Sequence, residues 1–119
     1  MSERSIHLNP LLHQPIRTQI VAFLSSRGEA TFSELKRALA ITDGNLGAHL
    51  NKLTEAGLIA AREVQSASRP QTVLLLTECG RAALADYVDQ LSKLLQITPQ
   101  TRQTLDLPIF INPTTQEIL

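Results

Sequence analysis

At 119 residues the chain is sized for one small domain, and its 43% apolar content can fill a single core, a fraction that disordered chains do not reach. Eleven Lys and Arg balance 11 Asp and Glu, which excludes a uniformly basic surface; up to Leu76, however, eight basic residues stand against six acidic ones, so positive charge is concentrated in the segment that carries the motifs below. One cysteine excludes an intrachain disulfide and a Cys-based metal cluster; no apolar run nears the roughly 18 residues of a membrane span and the N-terminus has no apolar signal region, so a cytoplasmic protein without a membrane partner is expected.

Asn9-Pro10 reads as a cap and first helical position, opening a short turn through Leu11, Leu12 and His13. Pro15 restarts a helix with Ile16, Ile20, Phe23 and Leu24 on one apolar stripe, and Gly28 stops it. Thr31-Phe32-Ser33-Glu34 fits a capping box for a second helix, whose apolar face is Phe32, Leu35 and Leu39 and which ends near Ala40. Only Ile41 separates it from Thr42, a cap for a third helix in which Asp43 suits the positive N-terminal dipole. That helix carries Leu46, Leu50 and Leu53 on one side and stops at Gly57; its other side is small and polar, comprising Asp43, Gly44, Asn45, Gly47, Ala48, Asn51 and Lys52. Leu58 to Val64 and Thr72 to Leu76 read as two strands joined by a polar loop over 65–71. Thr77 caps a last long helix in which Leu84, Val88, Leu91 and Leu95 repeat with heptad-like spacing, with Tyr87 and Leu94 alongside. Pro99, Pro108 and Pro113 interrupt the stretch from Ile97; Thr98-Pro99 is a candidate opening for one more short helix.

Two helices across a tight turn, the second of them small-faced, followed by a hairpin, is the order of a winged helix-turn-helix. The expected class is therefore mostly α with a small β-hairpin: a winged helix-turn-helix over residues 9–76, a C-terminal dimerisation helix over 77–97, and an extension over 98–119 with no assigned structure. Thr42 to Leu58, with His49-Leu50-Asn51-Lys52-Leu53 and then Glu55-Ala56-Gly57, resembles the recognition helix of MarR- and ArsR-like transcriptional regulators. Leu76-Thr77-Glu78-Cys79-Gly80-Arg81 is similar to the segment that opens the dimerisation helix in MarR-like members, and the resemblance covers roughly His13 to Leu95.

The resemblance implies a homodimer that reads a palindromic operator, with double-stranded DNA and a second copy of the chain as partners, no cofactor and an unidentified small-molecule effector. The dimer interface would be Leu84, Tyr87, Val88, Leu91, Leu94 and Leu95. On the DNA side, Thr42, Asp43, Asn45, Gly47, Ala48, His49, Asn51 and Lys52 fall on or beside the third helix. Amides such as Asn45 and Asn51 pair with adenine edges, Gly47 and Ala48 admit close backbone approach, and Lys52 suits phosphate or guanine. Relatives often carry Ser or Arg near Gly47, so this chain is expected to lean more on DNA shape. His49 either faces a phosphate or packs beneath the helix edge, and Lys36 and Arg37 either touch phosphates or only water. Arg62 and Arg69 flank the wing; Arg69, beside Pro70, enters a minor groove, clamps a phosphate or is merely solvated. Cys79 is either a redox-active thiol or a buried small residue. His7, His13 and His49 lack metal-ligand spacing with carboxylates, and no nucleophile triad, phosphate loop or carboxylate pair stands out, so neither a metal sensor nor an enzyme is expected. The alternative function is a winged helix used only for protein contact, which a zero net charge permits.

Overall fold

A computed structural model describes residues 7–65 and 68–96. Asn9 begins the fold as a turn: its side-chain carbonyl accepts the Leu11 N–H at 2.9 Å, and its backbone carbonyl accepts those of Leu12 and His13 at 3.1 and 2.8 Å. The chain then runs α1 (Pro15–Arg27), β1 (Glu29–Thr31), α2 (Phe32–Leu39), α3 (Asp43–Glu55), β2 (Ile59–Gln65), β3 (Pro70–Leu76) and α4 (Glu78–Leu94). No helix among these is long and apolar enough to cross a membrane.

Polar side chains set the helix starts. The Gln14 carbonyl accepts the Arg17 N–H at 2.8 Å, and Pro15 supplies the first position of α1. The capping box of α2 is complete: Thr31 Oγ1 accepts the Glu34 N–H at 3.0 Å and a Glu34 carboxylate oxygen accepts the Thr31 N–H at 2.9 Å. That backbone N–H, donating to the ionised form, holds the Glu34 carboxyl below its usual range. Ala40 closes α2 in the left-handed region at φ 55°, which reverses the chain tightly enough for α3 to begin at Asp43.

The sheet has three strands in the order β1-β3-β2, both pairings antiparallel, so the expected hairpin gains a third strand, Glu29–Thr31, against Val73 to Leu75. The hairpin strands also reach further than expected at the wing end, pairing Gln65 with Pro70, and β2 begins at Ile59. Of the connection, Ser66 and Ala67 lie outside the described residues, as do the expected end of the dimerisation helix at Ile97 and the 98–119 extension. In β2 only Ile59 is buried, whereas Val73, Leu74 and Leu76 of β3 all are. The inner sheet therefore belongs to the core while its outer half projects as a wing. The core gathers Leu12, Ile20, Val21 and Leu24 with Leu35 of α2, Leu46, Leu50 and Leu53 of α3, and the sheet residues just named. Each such leucine contributes about 1.5–3 kcal/mol relative to exposure.

The chain divides into two compact units, one being His7–Tyr87 and the other containing α4 from Val88 onward. Within the first unit, the start of α4 is tied to the exit of α3. Thr77 N–H donates to the Leu58 carbonyl at 3.1 Å, the Thr77 hydroxyl donates to the Gly57 carbonyl at 2.6 Å, and its oxygen accepts the Gly80 N–H at 2.9 Å. A Cβ on Gly80 would overlap the Leu58 carbonyl oxygen and come within 2.9 Å of the Leu58 carbonyl carbon and of a Leu76 methyl. Two neighbours in the motif have other environments. The Arg81 guanidinium approaches the Leu76 carbonyl at 3.4 Å, and Cys79 is exposed, which corrects its reading as a buried small residue. Gly80→Ala is expected to lower unfolding stability by about 3 kcal/mol, because the clash is with backbone that cannot swing aside; a urea midpoint equal to wild type would show that α4 yields instead.

Candidate nucleic-acid interface

α3 is held from one side only. Leu46, Leu50 and Leu53 are buried, with α1 and β2 packed against the helix, and Thr42 caps it by accepting the Asn45 N–H at 3.2 Å. The opposite face presents Thr42, Asp43, Gly44, Asn45, Ala48, Asn51 and Lys52, all exposed, with Gly47 and His49 half-buried at its margins. The periodicity that drives the leucines inward thus leaves two amides, a lysine and three small residues facing outward.

The glycines of this face differ from the others. Gly28 and Gly57 have φ of 91° and 79°, a conformation that side chains disfavour, and Gly80 leaves no room for a Cβ. Gly44 and Gly47 have helical backbone and nothing within 4 Å of the space a Cβ would fill. Nothing among the described residues requires either of them.

His49 sits half-buried at the helix edge, tied to α1. Arg17 Nη1 lies 3.2 Å from His49 Nδ1, while Arg17 Nε donates to the Leu11 carbonyl at 2.7 Å. Because guanidinium can only donate, Nδ1 is the acceptor and the imidazole is neutral with its proton on Nε2. Burial, and then the charges of Arg17 and Lys52, depress the His49 pKa below the ordinary 6.5. Arg17 is the residue that sequence reasoning passed over. Its signal was a cation in the first turn of α1, where the helix dipole disfavours positive charge and a specific partner is therefore implied.

The remaining basic residues are placed unevenly. Lys36 Nζ sits 2.9 Å from an Asp43 carboxylate oxygen, joining α2 to the first turn of α3. Arg37 and Lys36 line, with Ser33, Ala40 and Ile41, a concave surface of about 520 Å³. Arg69 is exposed just before β3, at the loop end of the hairpin, and lines, with Thr31, Ser33 and Gln71, a second concavity of about 310 Å³. Arg62 is engaged across the sheet, its guanidinium 2.7 Å from Glu29 of β1. On α4 and just past its end, Leu84 and Leu91 are half-buried, and Val88, Leu94 and Leu95 are 45%, 51% and 57% exposed. Tyr87 departs from its expected place on that apolar stripe. It is 6% exposed, with its hydroxyl 2.8 Å from His13 Nδ1, so it completes the chain's own core.

A helix-turn-helix pair with an exposed amide-bearing second helix and a projecting hairpin is the geometry of a DNA-binding winged helix. A family described as winged helix DNA-binding domain matches residues 16–95. The chain belongs to that family. This winged-helix domain is 32% identical over 84 residues to an uncharacterised protein of Methanocaldococcus jannaschii, covering 71% of this chain and 91% of that one. It is similar, at 32% identity and a TM-score of 0.72, to the structure of a transcriptional regulator homologue from Pyrococcus horikoshii OT3, covering 81% of this chain and 96% of that one. A MarR mutant from E. coli solved with operator DNA shares the fold, with a TM-score of 0.54 at 21% identity over 74% of this chain and 66% of that one. The family places the chain among winged-helix DNA-binding domains, and its fold is shared with MarR.

The depressed His49 pKa makes stability depend on pH. Above pH 6.5, the ordinary histidine value, the imidazole is neutral folded or unfolded, and the Arg17 contact is fully present. As pH falls from there through the lower folded value, the unfolded chain binds the proton first and stability is lost. Urea midpoints are expected to fall over this window in wild type and to fall less in His49→Gln; identical pH profiles would contradict the assignment.

Proposed function

We propose that this winged-helix protein is a sequence-specific transcriptional regulator that acts as a homodimer on a palindromic site in double-stranded DNA. The observation that carries the reading is the pair of glycines on α3. Gly47 lies in a helix interior, where glycine costs about 1 kcal/mol relative to alanine, and no packing among the described residues offsets it. A surface kept small at such a cost suits the close approach of a base-pair edge or sugar-phosphate chain. Asn45 and Asn51 then read adenine edges, and Lys52, which makes no ion pair among the described residues, meets phosphate. Arg69 contacts the flanking groove from the tip of the wing. The operator DNA bound by the E. coli MarR mutant, a protein of the same fold, is consistent with this class of partner.

The homodimer rests on the apolar side chains of α4 that the chain leaves exposed, Val88, Leu94 and Leu95, together with half-buried Leu91. Paired recognition helices would stand about 34 Å apart, one turn of B-DNA, which is why the site is expected to be two-fold symmetric. Sedimentation of Leu91→Asp should show monomer where wild type is dimeric; a wild-type monomer at micromolar concentration would remove the dimer from the proposal.

Selection from a random duplex pool supplies the operator, and two variants then test the helix face. Gly47→Ala is expected to raise stability by about 1 kcal/mol while weakening operator binding. Lys52→Ala should weaken binding to all sequences alike and reduce the salt slope by about one. Unchanged affinity and slope in both variants would return α3 to an ordinary solvated surface, and failure of wild type to bind a DNA column at low salt would favour the protein-docking alternative.

A further inference from the structure

Asp43 is an acid on a surface proposed to meet a polyanion. It occupies the first position of α3, its side chain is 72% exposed, and its carboxylate lies 2.9 Å from Lys36 Nζ. Capping does not require it, because Thr42 Oγ1 already accepts the Asn45 N–H at 3.2 Å. The residues at the N-terminal end of a recognition helix are the ones that reach base edges in the major groove. Here those residues are Asp43, Gly44 and Asn45, and a carboxylate among them would repel the flanking phosphates unless its charge were cancelled. Lys36, reaching over from α2, cancels it and limits where the carboxylate can go. One oxygen, Oδ1, is taken by the ammonium; Oδ2 has no hydrogen-bond partner among the described residues.

A carboxylate can only accept hydrogen bonds. In the major groove the bases offer two kinds of donor, the N4 amine of cytosine and the N6 amine of adenine, and the adenine amine stands beside the N7 acceptor, which repels a carboxylate. Cytosine is therefore the base that fits. We propose that Asp43 is a specificity-determining residue that accepts from a cytosine N4 amine in each half-site, and that Lys36 is its positioning residue. The inference rests on the operator-binding reading above and assigns one base contact within it. It also gives the Lys36–Asp43 pair a purpose that surface ion pairs, worth little to stability, do not otherwise have.

The test is selection from a random duplex pool at one fixed salt concentration with wild type, Asp43→Asn, Asp43→Ala, Lys36→Met and Lys36→Arg, each checked for native helix content. Wild type is expected to enrich cytosine at one position per half-site. Asp43→Asn should change that preference to adenine, whose N6 and N7 suit an amide, and Asp43→Ala should lose about tenfold discrimination there while keeping the other positions. Lys36→Met should blunt the cytosine preference without replacing it by another base, and Lys36→Arg should restore it. A role confined to helix stability would instead weaken every position together. Wild-type enrichment of a site that Asp43→Ala reproduces base for base would overturn the role of Asp43 alone, and wild type enriching no sequence would overturn the operator reading and this contact with it.

Discussion

The carbonyl of Leu58 is the point on which the placement of α3, the wing and the start of α4 depends. It leaves the end of α3, accepts the Thr77 N–H, and has Gly80 pressed against it, so the exit of the recognition helix and the entry of α4 share one atom. Everything between them is the wing. With both feet of the hairpin pinned at this point, Ile59 is set opposite Leu76, and the remaining pairs follow out to Gln65 and Pro70. A slip of one residue would turn Leu74 and Leu76, which share a face, out of the core, so packing and the Leu58 junction enforce the same register. The Leu-Thr-x-x-Gly-Arg stretch, met in the sequence as a family likeness, thus has a local mechanical basis: threonine to cap and bridge, glycine to admit the carbonyl.

The helices were legible because their signals are local. Thr31 and Glu34, Thr42, and the leucines at 46, 50 and 53 all act within a turn or two of themselves, and the structure uses them as expected. What escaped was set by partners distant in sequence. Glu29-Ala30-Thr31 has little intrinsic strand preference and becomes β1 only because β3 offers an edge. Tyr87 lies at helical spacing from Leu84 and Leu91, and a pattern of threes and fours does not say which side chain turns to its own core; His13, far back in the chain, decides it. The exposed amide face of α3 was readable as a face, whereas the ties of Arg17 to His49 and of Lys36 to Asp43 were not, since each joins separate helices.

In a chain whose 11 basic residues only balance its 11 acidic ones, DNA binding needs cations that are selectively available, and the ion pairs show how they are distributed. Arg62 is occupied by Glu29 and Lys36 by Asp43, while Lys52, Arg37 and Arg69 have no such partner among the described residues. With no net charge the long-range field is weak, and under the proposed operator-binding reading discrimination would fall to short-range contacts from α3 and the wing. Neutrality in this setting favours selectivity over capture.

Thr31 has two positions at once, last residue of β1 opposite Val73 and cap of α2 through Glu34. The first helix of the pair cannot fray from its N-terminus without also unzipping a strand from the sheet. Helix and sheet edge therefore form one cooperative opening unit, and amide hydrogen exchange in the first turn of α2 should share the opening free energy of β3 at Val73 rather than show the shallow protection of an ordinary helix end. At the other end of α2 the reversal into α3 turns on a left-handed alanine, Ala40, bridged by the Lys36–Asp43 pair, with no strand among the described residues tied to it.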